Sequence, residues 1–273
     1  MKREMGCHLE IEVVDGCELE LQVAVSGAYD SDQLREDLRC TLDGRPVEVR
    51  EVRDPGGGRI HVLDPTPGRL VVDYAATVQG RARPSRGSEW ERSLYLRPSR
   101  YAEADTFFGF AATEFAAVLE EHGDAPAQLL PRVAAWVGAR LDYVPGTSKP
   151  TDGASDTLLA GAGVCRDYSH LTVALLRALG VPARFAAVYA PGCDPMDFHA
   201  VAEALVGDRW YVADATCLAP RSSLVRIATG RDAADAAFCD NHGGQIELLV
   251  SQVHAIVDGP LPGDDLDELV AIT

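Results

Sequence analysis

Polar and apolar positions alternate through the first ninety or so residues. His8-Leu9-Glu10-Ile11-Glu12-Val13-Val14 has this pattern, and so does Glu18-Leu19-Glu20-Leu21-Gln22-Val23-Ala24-Val25. A period of two predicts strands with one buried face. Asp15-Gly16 between them predicts a hairpin turn. Further strands are predicted near 47–52, 60–63, 70–78 and 89–96. Breakers separate them: Asp43-Gly44, Pro55-Gly56-Gly57-Gly58 and Pro65-Thr66-Pro67-Gly68. Short strands with frequent turn signals predict a β-sandwich-like domain over residues 1–98. His8 and His61 read as surface or edge-strand residues.

From Thr106 the period lengthens. Phe107, Phe110, Ala111, Phe115, Val118 and Leu119 predict a helix ending at His122-Gly123. Leu129, Val133, Trp136, Val137 and Leu141 predict a second, with Pro131 in its first turn and Trp136 in the core. A polar loop over 143–156 follows, and Ser155-Asp156-Thr157 reads as the start of a short capped helix. Leu171, Ala174, Leu175, Ala178 and Leu179 then make a helical stripe, closed by Gly180 and Pro182. That helix starts at or near Cys165, just after Gly161-Ala162-Gly163. Residues 183–189 read as a strand and 190–197 as a loop, which lines a site or is a plain surface connection. Two strands follow, around His199 and Trp210, joined by Gly207-Asp208. Residues 221–237 carry a helical pattern, 246–257 a strand pattern, and the acidic tail from Gly259 reads as loosely held.

Cys165 is the first candidate for chemistry. The N–H groups of a helix's first turn lack partners, and that end is partly positive. Both favour a thiolate, the nucleophilic form, and the same N–H groups can hold an oxyanion. The alternative is a small buried core cysteine. The predicted hairpin supplies partners. With a two-residue turn, Val206 faces Arg209 and Val201 faces Asp214. His199 then shares a face with Val201 and lies diagonal to Asp214, in a pair that can orient an imidazole. A slip of one residue would put them on opposite faces. His170, five positions after Cys165 on the helix, points away from it; Arg166, Asp167 and His170 read as structural.

The motifs G-V-C-R-D-Y-S-H, F-H-A-V-A-E and W-Y-V-A-D-A-T resemble the transglutaminase-like superfamily over roughly 107–220, nearest to a bacterial branch of cysteine-protease type. Residues 94–101 resemble the segment by which that branch enters its catalytic domain. The resemblance implies an α+β fold: a papain-like transglutaminase core, its cysteine-bearing helix packed on an antiparallel sheet, over residues 99–273. It implies a catalytic triad of Cys165, His199 and Asp214, and places the 143–156 loop close to the cleft. It also implies a second oxyanion donor upstream of the cysteine, to which no residue is matched. The expected function is cysteine-dependent acyl transfer on amide or peptide bonds through a thioester. Hydrolysis by a peptidase or amidase is favoured. The alternatives are transfer to an amine, as in a transglutaminase or amide-forming acyltransferase, and a binding module without turnover.

Charge and cysteine usage narrow the partners. The formal charge of −17 excludes nucleic acid and anionic membrane surfaces as expected partners, since both attract basic patches. It favours a cationic or neutral peptide, protein or small amide substrate, unless it only confers solubility. The basic loop 81–87 is the exception, a receptor for an acidic group or a solvated run. The 7 cysteines are odd in number, irregularly spaced and without Cys-x-x-Cys. With Met1-Lys2-Arg3-Glu4 unlike a signal peptide, a reducing cytoplasm is expected. Apolar runs are too short for a membrane span. Cys165, His170, His199 and Asp214 are ligand types, but the close pairs of structural zinc sites are missing. Gly56-Gly57-Gly58 lacks a P-loop's lysine. No metal or cofactor is expected.

Overall fold

The computed structural model describes residues 1–273. Strands β1 (Lys2–Val13), β2 (Glu18–Leu21), β3 (Leu34–Leu42), β4 (Arg45–Pro46), β5 (Arg50–Arg53), β6 (Arg59–Leu63) and β7 (Gly68–Gln79) come first. Then follow α1 (Glu89–Leu94), α2 (Phe108–Glu114), α3 (Ala116–His122), α4 (Pro126–Arg140), β8 (Asp142–Tyr143), α5 (Ala154–Ala160), β9 (Ala162–Gly163) and α6 (Cys165–Ala178). The last are β10 (Ala183–Tyr189), β11 (His199–Val206), β12 (Arg209–Ala213), β13 (Val225–Gly230), β14 (Cys239–His242) and β15 (Ile246–Val257).

The early strands form a sandwich of a 5-stranded sheet, β15-β1-β7-β3-β4, and a 4-stranded sheet, β14-β2-β6-β5. Leu9, Ile11 and Val72 from the first meet Leu19, Leu21 and Leu63 from the second in one buried cluster. The alternation seen in β1 and β2 is therefore real, but the two do not pair. Asp15-Gly16 carries the chain from one sheet to the other, so that the two apolar faces oppose each other instead of lying side by side. β14 and β15, although late in the chain, are strands of these two sheets.

The second half packs α6 against a 4-stranded antiparallel sheet ordered β12-β11-β10-β13. Leu171, Ala174 and Leu175 of the helix share a cluster with Ala202, Ala204 and Ala213 of the sheet. The expected α+β arrangement, a cysteine-bearing helix on an antiparallel sheet behind a β-sandwich, is the one found. Sandwich and core are joined: Phe185, Val225 and Ile227 belong to the sandwich's buried cluster, and the Tyr189 hydroxyl donates to the Val23 carbonyl at 2.7 Å.

Several local expectations are corrected. The predicted strand over 89–96 is replaced by helix α1 at residues 89–94, because Ser88 and Glu91 make a capping box: Ser88 Oγ accepts from Glu91 N and the Glu91 carboxylate from Ser88 N. The predicted helix over 107–122 is broken at the buried Phe115 into α2 and α3. Pro126, not Pro131, occupies the first turn of α4. Trp136 is half-buried, donating to Glu114. Residues 225–230 form β13 instead of a helix; every position is buried, so period two is lost. His61 is buried, 4% exposed, against Glu51. The tail is tied down: the buried Arg221 guanidinium donates to the Asp264 carboxylate and to the Asp265 and Glu268 carbonyls. Val212 N–H meets the Val270 carbonyl.

Candidate active site

The geometry around Cys165 follows from how α6 begins. Val164 is extended and its N–H donates to Asp167 Oδ2 at 2.9 Å. Asp167 thus caps the helix, while its Oδ1 accepts from Ser148 Oγ and from Arg166. A side chain at Gly163 would collide with Asp167, its Cβ only 2.7 Å from the Asp167 Cβ, so the close turn needs glycine there. Cys165, the first helical residue, is left partly exposed with Sγ 3.9 Å from the Phe198 carbonyl.

The β11–β12 hairpin brings up the partners in the expected register. Val206 pairs with Arg209 and Ala202 with Ala213, which places Val201 opposite Asp214. His199 Nε2 lies 3.1 Å from Asp214 Oδ2, and both side chains are nearly inaccessible. The second Asp214 oxygen accepts from Thr216 N and Oγ1 at 2.9 and 2.7 Å. Burial alone would raise the Asp214 carboxyl, but His199 and Thr216 hold it below the ordinary carboxylate range. Burial likewise opposes a charged His199, yet Asp214 and then Cys165 raise its imidazole well above the usual value. A carboxylate on Nε2 leaves Nδ1 as the nitrogen for Cys165. All three residues singled out in the sequence are therefore brought together.

His170 is placed elsewhere. It is fully buried, stacked on Tyr101 with centroids 5.2 Å apart, and its Nε2 accepts from the Ala233 N–H. Burial, with the charges of Arg166 and Arg177, keeps it neutral far below its ordinary pKa. Arg166 ties the 143–156 loop to the helix, donating to Ser148 Oγ and to the Lys149 and Pro150 carbonyls. The structural reading of Arg166, Asp167 and His170 stands. Cys217, three residues past Asp214, is exposed.

Tyr143 was hidden within that loop. β8 pairs with β9 so that Tyr143 lies opposite Gly163, two residues before Cys165. Burial first, then the neighbouring Cys165 and Cys193 thiols, raise the phenol so that it stays protonated. The only sequence signal was its position two residues after a predicted helix and before a Pro-Gly turn.

Residues 113–215 match the model of the transglutaminase-like superfamily. A solved candidate cysteine protease from Cytophaga hutchinsonii is 28% identical, with a TM-score of 0.85 over 99% of this chain and 96% of that one. The matched segment carries Cys165, His199 and Asp214. An uncharacterized protein of Mycobacterium leprae is 28% identical over 150 residues, 52% of this chain. The match spans about half, 52%, of that curated relative's length. The periplasmic domain of TgpA from Pseudomonas aeruginosa is 16% identical with a TM-score of 0.40, over 76% of this chain and 86% of that domain. The transglutaminase-like match and the Cytophaga structure together support a cysteine-based enzyme. No helix is long and apolar enough to cross a membrane.

Proposed function

We propose that this protein is a cysteine-dependent amidohydrolase or peptidase that works through a thioester. The observation carrying the reading is the buried His199–Asp214 pair at 3.1 Å beside a partly exposed cysteine at a helix N-terminus. Asp214 holds the imidazolium, which lets Cys165 react as thiolate. The sulfur attacks an amide carbonyl. The resulting oxyanion is received by the Cys165 N–H and the Tyr143 hydroxyl. Collapse breaks the C–N bond, and His199 gives its proton to the departing amine. Water then attacks the thioester with His199 as base, and the acid leaves. The partial exposure of Cys165, which gives water a route to the acyl group, supports hydrolysis, as does the similarity to the Cytophaga candidate protease.

Intact mass after brief iodoacetamide treatment at mildly acidic pH tests the nucleophile. An ordinary thiol, with pKa near about 8.5, is slow there. Fast single labelling is expected, lost in Cys165→Ala and slowed in His199→Ala; slow labelling spread over several cysteines overturns the reading. Tyr143→Phe separates the oxyanion role. Alkylation forms no tetrahedral intermediate and should keep its rate, while amide turnover falls by about a hundredfold. Equal loss in both assays would make Tyr143 merely structural.

A further inference from the structure

A cleft of about 620 Å³ opens at Cys165 and His199, and 14 of its 20 lining residues are hydrophobic. Phe185 and Ile227, both buried, lie at its base, where the core sheet meets the sandwich. Phe198 and Phe238 also line it, their rings stacked with centroids 4.7 Å apart. This size is typical of small-molecule and side-chain pockets.

The wall formed by 233–238 is fixed at many points. Arg177 donates to the Arg231 carbonyl, and His170 accepts from Ala233 N–H. The buried Asp232 carboxylate accepts from Tyr101 N and Ala234 N. From the sandwich, Gln22 N–H donates to the Phe238 carbonyl and its side-chain amide to the Asp235 carbonyl. A pocket held this way is formed before anything enters it, so little ordering opposes binding.

Of the charged residues on the cleft, Arg166 is already engaged and two carboxylates sit at exposed positions. Arg166 is engaged by the 148–150 loop and Asp167. Asp197 is exposed and accepts from Phe198 N–H, and Asp240 is exposed. A charged substituent buried against the apolar lining would lose water without gaining a buried counter-charge. A neutral apolar one gains the burial of its whole surface.

We propose that this cleft is the specificity pocket for a bulky, uncharged, preferably aromatic side chain lying next to the reacting carbonyl of the substrate. The proposal rests on the acyl-transfer reading of Cys165. The continuity of the pocket with Cys165 and His199 carries it, because whatever fills the cleft must sit beside the attacking sulfur.

N-substituted iodoacetamides test it on the 273-residue chain. Cys165 sulfur attacks the iodomethyl carbon and iodide leaves, while the substituent on nitrogen explores the cleft. The unsubstituted, N-benzyl, N-carboxymethyl and N-(2-aminoethyl) reagents are compared, each rate divided by that with glutathione. Exposed Cys217 serves as internal control. Burying a phenyl group predicts at least about tenfold faster labelling of Cys165 by the N-benzyl reagent than by the parent. Neither charged reagent should gain, and Cys217 should show no preference. In Phe238→Ala the N-benzyl advantage should fall at least about threefold, and Phe238→Leu should retain more of it. Labelling of Cys165 by the parent without any N-benzyl advantage, or a preference for a charged reagent, overturns the pocket alone. Failure of the parent to label Cys165 ahead of Cys217 overturns the nucleophile and the pocket together. The wild-type ratios decide the question even if a variant folds poorly.

Discussion

Glu203 offers a stability test that leaves the proposed chemistry untouched. Its side chain is fully buried in β11, four residues from His199. One carboxylate oxygen meets the Arg184 guanidinium at 2.8 Å and the other meets Arg226. Arg184 has other support: Ser85 Oγ at 3.1 Å, Glu91 at 3.4 Å and the Trp210 ring 4.2 Å from its carbon. Arg226 has no second side-chain partner, and its Nε is unpaired. In Glu203→Gln the amide keeps one acceptor but turns an N–H₂ toward the other arginine, and two buried cations lose their counter-charge. Breaking a buried pair from one side typically costs about 3–5 kcal/mol. Because Arg184 keeps partial support, the expected loss is near the lower end, about 3 kcal/mol. Urea unfolding should show a lower midpoint at unchanged slope. The acid side carries a second signature. Burial pushes the Glu203 carboxyl up, but the two arginines pull it below its ordinary value. A depressed carboxylate stabilises fully above the unfolded pKa, near about 4.3, and that contribution fades as pH falls through the folded value. The Gln variant lacks this dependence. A loss under about 0.5 kcal/mol, or unchanged acid sensitivity, would refute the claim that Glu203 neutralises both arginines.

Two further outcomes are expected. Neutral, buried His170 has a folded pKa well below its unfolded value. Its contribution is complete above about pH 6.5 and is lost as pH falls below that, by at most about 1.4 kcal/mol per unit; His170→Gln should flatten stability between pH 7 and 5, and parallel curves would exclude the effect. Arg221→Ala should free the tail, speeding exchange of the Val212 amide, which meets the Val270 carbonyl, by about tenfold or more; unchanged protection there would mean that the tail holds without Arg221.

The residues around Cys165 were legible because their constraints are local. A Gly-x-Gly turn, a helical stripe and a two-residue hairpin turn each fix direction over a few positions, and together they set Cys165, His199 and Asp214 in register. What sequence reading missed depends on distant partners. β3 went unrecognised because Glu36 interrupts the apolar face of Leu34, Leu38, Cys40 and Leu42, where it is satisfied by the distant Tyr74 and Arg59. β13 looked helical because both of its faces are covered. Tyr143 stood out only by its position, since pairing with Gly163 is what brings it near the cysteine. The tail read as loose from its acidity, yet that acidity supplies Asp264 for Arg221.

The pairing of β1 with β15 has a consequence for synthesis. Lys2–Val13 leaves the ribosome long before its neighbour Ile246–Val257 exists, with more than two hundred residues between them. At translation speeds of about 5–20 residues per second, the wait is roughly 10–50 s. β7 can cover one edge of β1 early, but the other edge stays open, with Leu9 and Ile11 on a face meant for burial. That interval is when the nascent chain is most exposed to mispairing with a neighbour. Slowing elongation between β7 and β15 should therefore increase aggregation of this protein, whereas slowing it after β15 should not.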